Sequence, residues 1–322
     1  MMEQKIPLVV VAGPTASGKT AAGVRLAQLL DGEVISADSM QIYKYLTVGT
    51  AKPIPEEMEG IPHHLIDFLE PSETFSVADY VQLAKQKIEE ITGRGKLPIL
   101  VGGTGLYISS LIDNIEFSQS DSDTKLREEY QQFAKENGPQ ALWDRLNQVD
   151  PQAAEKIHPN NVGRVARALE VYHTTGIPIS KHQELSRTKP SPYQLCMMAL
   201  GFHDRQKLYD RINLRVDQMV QDGLLEEVQS LKERGYTKDM VSMQGLGYKE
   251  ILDYLDGDCT LEETIYILKR DTRHFAKRQL TWFRRERDVI WIDKSQYDHN
   301  EAKVVDMMIT KIQERIPYIC LK

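Results

Sequence analysis

Residues 6–12 read Ile-Pro-Leu-Val-Val-Val-Ala, a near-continuous apolar run that predicts a parallel strand buried on both faces. Further runs of strand character stand at 33–37, 97–101, 193–200 and 288–292, and 63–67 offers a further short strand. Between them the apolar positions change to helical spacing. Residues 20–30 carry Ala21, Ala22, Val24, Leu26, Ala27 and Leu30. Residues 76–93 carry Val77, Tyr80, Val81, Ala84, Ile88 and Ile91 behind Ser76, a capping residue. Strands alternating with helices predict an α/β fold, a parallel sheet flanked by helices. From Asp113 strand character disappears. A polar linker at 118–123 leads into helical segments at 124–136, 139–148, 151–157 and 161–174, and Tyr193 restores strand character. The pattern predicts a core domain built from 1–115 and 193–322, with a helical domain inserted at 116–192. Further helices start near Asp204, with Leu208, Ile212, Val216 and Met219 as a stripe, and at 244–250 and 301–315. The longest, 261–285, repeats Leu261, Ile265, Leu268, Thr272, Phe275, Gln279 and Trp282 at gaps of four and three, a packed seam.

The chemistry sits where these strands end. The strand at 6–12 runs into Gly13-Pro14-Thr15-Ala16-Ser17-Gly18-Lys19-Thr20, two glycines four residues apart followed by Lys and Thr. Strand, glycine loop and helix in that order form the context a phosphate loop needs, so the core is expected to be P-loop NTPase-like. Backbone N–H groups and a helix N-terminus would cradle the phosphates. Lys19 would neutralise them, and Thr20 would offer its hydroxyl to Mg²⁺. After 33–37 comes Asp38-Ser39-Met40-Gln41-Ile42-Tyr43, beyond a strand's C-terminal end, where open α/β sheets place ligands. Asp38 there suits a metal ligand, a general base or a turn cap. Gly102-Gly103-Thr104-Gly105 follows another strand. It either brings backbone close to a ligand and aims Thr104 at the phosphate pocket, or merely turns into a helix at 106–111. His63 and His64 are adjacent, and on a strand adjacent residues face opposite ways, which favours a structural role over a metal site.

Composition narrows the classes. The 322 residues are 41% hydrophobic and 27% charged, as in soluble globular proteins. No apolar run approaches the roughly 20 residues of a membrane helix, and the chain enters its first strand without a leader, so no membrane association is expected. Three scattered cysteines, Cys196, Cys259 and Cys320, suit a reducing, cytoplasmic setting and exclude a Cys-only zinc site. The net charge of −7 speaks weakly against nucleic acid, but two local tracts oppose it. Residues 156–189 hold six Lys or Arg against two acidic residues, net +4, with Arg164 and Arg167 on one helix face. Residues 269–287 hold eight against two, net +6, interleaved with Phe275, Trp282 and Phe283. Such a tract can neutralise a polyanion's backbone. Arg211 and Arg215, four apart, mark another helix face.

Three classes fit a phosphate-binding core. A small-molecule kinase leaves the basic helix and the inserted lobe unused, and a regulatory nucleotide-binding protein would carry switch segments. An enzyme acting on nucleic acid with a phosphorylated co-substrate uses every feature, and is favoured.

Several blocks also carry a resemblance. They are residues 13–22, Ile35 to Lys44, Gly49-Thr50-Ala51-Lys52-Pro53, Pro62 to Asp67, Val101-Gly102-Gly103-Thr104-Gly105-Leu106-Tyr107, 164–171, 244–250 and 272–284. In that order, over nearly the whole chain, they resemble the tRNA dimethylallyltransferases (tRNA isopentenyltransferases). The resemblance departs at Gly163, where the family is expected to have Gln. It lacks the C-terminal zinc finger of eukaryotic relatives, so it points to the bacterial type. It implies transfer of a dimethylallyl group from dimethylallyl diphosphate to N6 of adenosine 37, beside the tRNA anticodon, with release of diphosphate. Gly13, Pro14, Thr15, Ala16, Ser17, Gly18, Lys19 and Thr20, with Mg²⁺, would hold the diphosphate, helped by Arg211 or Arg215. Asp38 would take the N6 proton and Thr104 would bond beside the reacting centre. Ser39, Met40 and Gln41 would read the flipped base. Arg127, Gly163, Arg164, Val165, Ala166, Arg167, Arg273, Lys277 and Arg278 would meet the anticodon stem-loop. A cytoplasmic monomer is expected.

Overall fold

The computed structural model describes residues 5–115, 117, 124–186, 189–297 and 300–322. Among them six parallel strands form one sheet: β1 (Ile6–Ala12), β2 (Gly32–Ala37), β3 (His63–His64), β4 (Leu97–Gly102), β5 (Tyr193–Gly201) and β6 (Ile290–Asp293), in the order β3-β2-β4-β1-β5-β6. The expected strand at 63–67 is only two residues long. Leu65 and Asp67 take φ of 57° and 58°, a left-handed backbone that cannot continue a ladder.

Period-two geometry explains why the central strands read as unbroken apolar runs. Along β1, Leu8, Val10 and Ala12 enter one core, and Val9 and Val11 enter the other. The first core is closed by α3 (Val77–Gly93), α4 (Gly105–Ile112) and Phe283, and the second by α1 (Lys19–Leu29) and α14 (Glu301–Arg315). Helix α3 starts on a capping box, with Ser76 accepting from Asp79 N–H and Asp79 accepting from Ser76 N–H. It buries Tyr80, Val81, Ala84, Ile88 and Ile91, the face its periodicity indicates. A short α2 (Pro55–Met58) lies in the segment between β2 and β3.

The C-terminal part of the core adds α10 (Arg205–Gln221), α11 (Leu224–Glu233), α12 (Tyr248–Leu255) and α13 (Leu261–Phe283). The buried positions of α13 are Thr264, Leu268, Thr272, Ala276, Gln279 and Phe283. Of the expected seam, Leu268, Thr272 and Gln279 are buried, whereas Leu261, Ile265, Phe275 and Trp282 are only half-buried. The buried face therefore mixes bulky Leu268 and Phe283 with small or hydroxyl-bearing Thr264, Thr272 and Ala276. The chain divides into two compact units, Met1–Ile112 with Pro192–Lys322, and Asp113–Ser191. The second unit is helical: α5 (Thr124–Asn137), α6 (Pro139–Val149), α7 (Pro151–Lys156), α8 (Val162–Thr175) and α9 (Ile179–Leu185). It encloses its own core of Leu142, Leu146, Val165, Ala168 and Leu169. The expected polar linker at 118–123 lies outside the described residues.

Candidate active site and basic surfaces

The glycine loop connects β1 to α1 as its pattern requires. Gly18 is the N-cap of α1 at φ 85° and supplies no side-chain cap, so first-turn N–H groups remain open to an anion. Lys19 folds back so that Nζ donates to the Pro14 carbonyl at 3.3 Å. Burial and the positive charge of Arg215 push the Lys19 ammonium down to about 8, with Asp38 opposing. Arg215 is held below the usual guanidinium range by its burial, against the charges of Asp38 and Glu57. Lys19, Arg215 and Asp38 thus share one electrostatic neighbourhood. Among the described residues two buried donors lack partners, the Arg215 Nε in this neighbourhood and the Ser17 hydroxyl within the glycine loop. A buried donor without an acceptor is costly, and a bound anion would satisfy the Arg215 Nε. Arg211 differs. Its Nε donates to the Ala16 carbonyl at 3.0 Å and its side chain is exposed.

With Lys19 at about 8, affinity for inorganic diphosphate is expected to fall as the pH rises through that value, because the ammonium loses its proton. Calorimetric titration across this range should show the fall, and Lys19→Arg should abolish it. An identical profile in both proteins would contradict the assignment.

At the end of β2, Asp38 Oδ1 accepts from Met40 N–H at 2.9 Å and Gln41 N–H at 3.3 Å. Among the described residues no donor meets Oδ2. Asp38 therefore caps its turn with one oxygen and presents the other. Thr104 Oγ1 accepts from Ser39 N–H at 3.0 Å and donates to Ser39 Oγ at 3.3 Å, joining the turns after β2 and β4. Gln41 is otherwise engaged than expected. Its Nε2 donates to the Thr50 and Ala51 carbonyls at 3.2 and 3.0 Å, and its Oε1 accepts from the Ser36 hydroxyl at 3.3 Å. It staples a loop rather than offering an amide to a ligand, which leaves Ser39 and Met40 half-exposed beside Asp38.

That loop is held from two further sides. Glu227 accepts from Thr47, Val48 and Gly49 N–H at 2.9, 2.7 and 3.1 Å, and from the Tyr248 hydroxyl at 2.7 Å. Lys52 Nζ donates to the Tyr43 carbonyl at 2.6 Å and to Asp67 at 2.5 Å. Gly102, the last residue of β4, and Gly103 serve close packing. A Cβ on Gly102 would stand 2.2 Å from the Ala37 carbonyl oxygen, and one on Gly103 would stand 2.2 Å from Gln279 Nε2. Periodicity gives Gln279 only a seam position, yet its amide bonds Thr15 N–H and the Gly103 carbonyl. A polar residue in an apolar stripe is the signal for it. His63 and His64 are structural, bonded to the Ile61 carbonyl and to Glu33.

Among the described residues no cluster of three His, Cys, Asp or Glu side chains could cage a metal ion. The donor at the loop is the half-exposed Thr20 hydroxyl in the first turn of α1. Such a sparse set fits Mg²⁺, which keeps several waters and binds largely through substrate phosphates. No helix of the described chain is long and apolar enough to cross a membrane.

The basic tract on α13 divides in two. Lys269 pairs with Asp217 at 2.6 Å, Arg270 with Asp271 at 2.7 Å, and half-buried Arg273 donates to Asn213 at 2.6 Å. The first and third of these tie α13 to α10, and the second lies within α13. Lys277 and Arg278 are exposed, and with His274, Thr281, Trp282 and Arg285 they line an open groove. In the helical unit, Arg127 and Arg167 both bind Glu170, which is fully buried. Val165 and Ala166 are also fully buried, so their side chains face that unit's core and not a ligand. Gly163 and Arg164 are exposed at the start of α8.

Residues 41–286 match the family model described as IPP transferase. A tRNA dimethylallyltransferase of Lachnoclostridium phytofermentans is 53% identical over 309 residues, 96% of this chain and 98% of that protein. The solved structure of the full-length tRNA isopentenylpyrophosphate transferase of Bacillus halodurans is 48% identical. It superposes with a TM-score of 0.71, covering 97% of this chain and 98% of the other. The structure of a eukaryotic dimethylallyltransferase acting on tRNA gives a TM-score of 0.78 at 32% identity, covering 92% of this chain and 77% of the other.

Proposed function

The chain belongs to the IPP transferase family, whose curated members include tRNA dimethylallyltransferases, and on that premise we propose that it prenylates tRNA at N6 of adenosine 37. The observation that carries the reading is the Arg215 Nε, unpartnered among the described residues, in the same electrostatic neighbourhood as Lys19 and Asp38. That arrangement suits a departing diphosphate next to a base. In the reaction the allylic C–O bond of dimethylallyl diphosphate breaks and diphosphate leaves with the electron pair. A C–N bond forms to the exocyclic amine, and its proton passes to Asp38 Oδ2. A carboxylate is a sufficient base here, because an amine bonded to a fourth substituent is strongly acidic. Lys19, Arg215 and the loop N–H groups stabilise the charge that develops on the leaving group. Arg215 is the better candidate for this than Arg211, whose Nε is committed to the Ala16 carbonyl. Thr20 would hold Mg²⁺, which when bound supplies further neutralisation of the diphosphate. Thr104 fixes the Ser39 backbone and so the turn that carries Asp38.

The target amine lies on a base edge, so the adenine must leave its stack, and Ser39 and Met40 flank its pocket. The exposed cations Lys277, Arg278 and Arg164 are the strongest candidates for tRNA phosphates. Arg127 and Arg273 are engaged with neighbouring helices and Arg167 with its own, which sets them behind the exposed cations. Arg278→Glu is expected to weaken binding of an anticodon stem-loop and to lower the salt slope, log Kd against log salt, by about 1. Filter binding at several salt concentrations reads both, and an unchanged slope would remove α13 from the interface. The reading as a whole is tested by nucleoside mass spectrometry of tRNA from cells lacking the protein. Prenylated adenosine should vanish, and its persistence would refute the assignment.

A further inference from the structure

We infer that Gln279 is a positioning residue for the proposed transfer, setting the phosphate loop against the Thr104 turn; this rests on the prenyl-transfer reading above. The amide of Gln279 uses both ends on backbone. Its Oε1 accepts from Thr15 N–H at 2.9 Å, inside the phosphate loop, and its Nε2 donates to the Gly103 carbonyl at 3.0 Å, one residue before Thr104. The side chain is buried, and it reaches the turn only because Gly103 has no Cβ, which would lie 2.2 Å from Nε2. Helix α13 is itself held against α10 by the Arg273–Asn213 and Lys269–Asp217 contacts, so the amide projects from a fixed support.

The two turns it joins carry different halves of the reaction. The Thr15 loop holds the leaving group, whereas Thr104, through Ser39 N–H, fixes the turn bearing Asp38. Among the described residues, this amide is the side-chain link that hydrogen-bonds to both turns. β1 and β4 are adjacent and in register up to Ala12 and Gly102, but the ladder ends there. Gln279 takes up the spacing where the ladder stops. The reacting carbon must sit between the leaving group and the amine, so an error in that spacing moves the two reactants apart. A displacement of about 1 Å can cost about 10²-fold in turnover.

The test uses the full-length protein with dimethylallyl diphosphate and an anticodon stem-loop. Gln279→Leu removes both hydrogen bonds and leaves the Thr15 N–H and the buried Gly103 carbonyl unmatched by protein. It is expected to lower kcat about 10²-fold and to weaken inorganic diphosphate, with the Kd of the stem-loop unchanged. Gln279→Glu keeps the acceptor for Thr15 N–H and loses the donor to Gly103. When protonated, the carboxyl regains that donor, so its kcat relative to wild type should rise as pH is lowered. If the leucine variant does not fold, the glutamate variant decides alone. A kcat within about threefold of wild type in both, with only the melting temperature lowered, would make Gln279 structural and overturn the inference. A pH-independent ratio for the glutamate variant would do the same. Wild-type protein that forms no prenylated product would instead overturn the prenyl-transfer reading, separately from the role of Gln279.

Discussion

Asp38→Asn is expected to lower kcat for prenyl transfer by about 10²- to 10⁴-fold while leaving affinity for the anticodon stem-loop near that of wild type. The asparagine side chain retains an oxygen to accept from Met40 and Gln41 N–H, so the turn after β2 should survive. What it loses is the negatively charged Oδ2 that would take the N6 proton. Asp38→Ala removes the turn cap as well, and should add a loss of stability to the same loss of turnover. Single-turnover kinetics with preformed complex separate the two effects. Normal turnover with a dominant loss of binding would remove Asp38 from the base role.

Arg215→Leu should cost about 10²- to 10³-fold in kcat/KM for dimethylallyl diphosphate, the range seen when one preorganised donor to a developing charge is removed. Arg211→Leu should cost much less. The contrast follows from their environments. Arg215 is half-buried near Lys19, with an enclosed Nε that lacks a partner among the described residues, and Arg211 is exposed and bonded to the Ala16 carbonyl. A second consequence concerns Lys19, which Arg215 helps to hold down at about 8. Removing Arg215 should move the fall of diphosphate affinity to higher pH. The opposite order of the two variants would reverse the assignment.

The sheet is legible in the sequence because buried parallel strands must be apolar on both faces, and β1, β4 and β5 are. The phosphate loop is legible because its signal is local: strand, glycines, Lys19 and Thr20 follow one another. Asp38 and Thr104 are legible as residues just past strand ends. What spacing does not show is which of several similar side chains is already occupied. Arg211 and Arg215 lie on one helix and read alike, but only the fold brings the Ala16 carbonyl to Arg211. Gln41 looks free to read a base, and its amide is taken by carbonyls nine and ten residues on. Glu227 lies about 180 residues from the backbone it grips, and nothing in its own helix announces that partner. Neither α9 nor α11 is among the helices that periodicity picks out. The seam of α13 is partly misplaced. Periodicity places Leu268, Thr272 and Gln279 correctly but misses Thr264, Ala276 and Phe283, which are buried.

The claim that the phosphate loop grips a departing diphosphate, rather than a nucleotide that donates phosphate, has one direct measurement. Purified protein is incubated with dimethylallyl diphosphate and an unmodified anticodon stem-loop, and both diphosphate and the digested nucleosides are quantified. The account predicts diphosphate and dimethylallyl-adenosine in equal amounts, with no requirement for ATP hydrolysis. Phosphorylated product formed from ATP, with no prenylated adenosine, would contradict it.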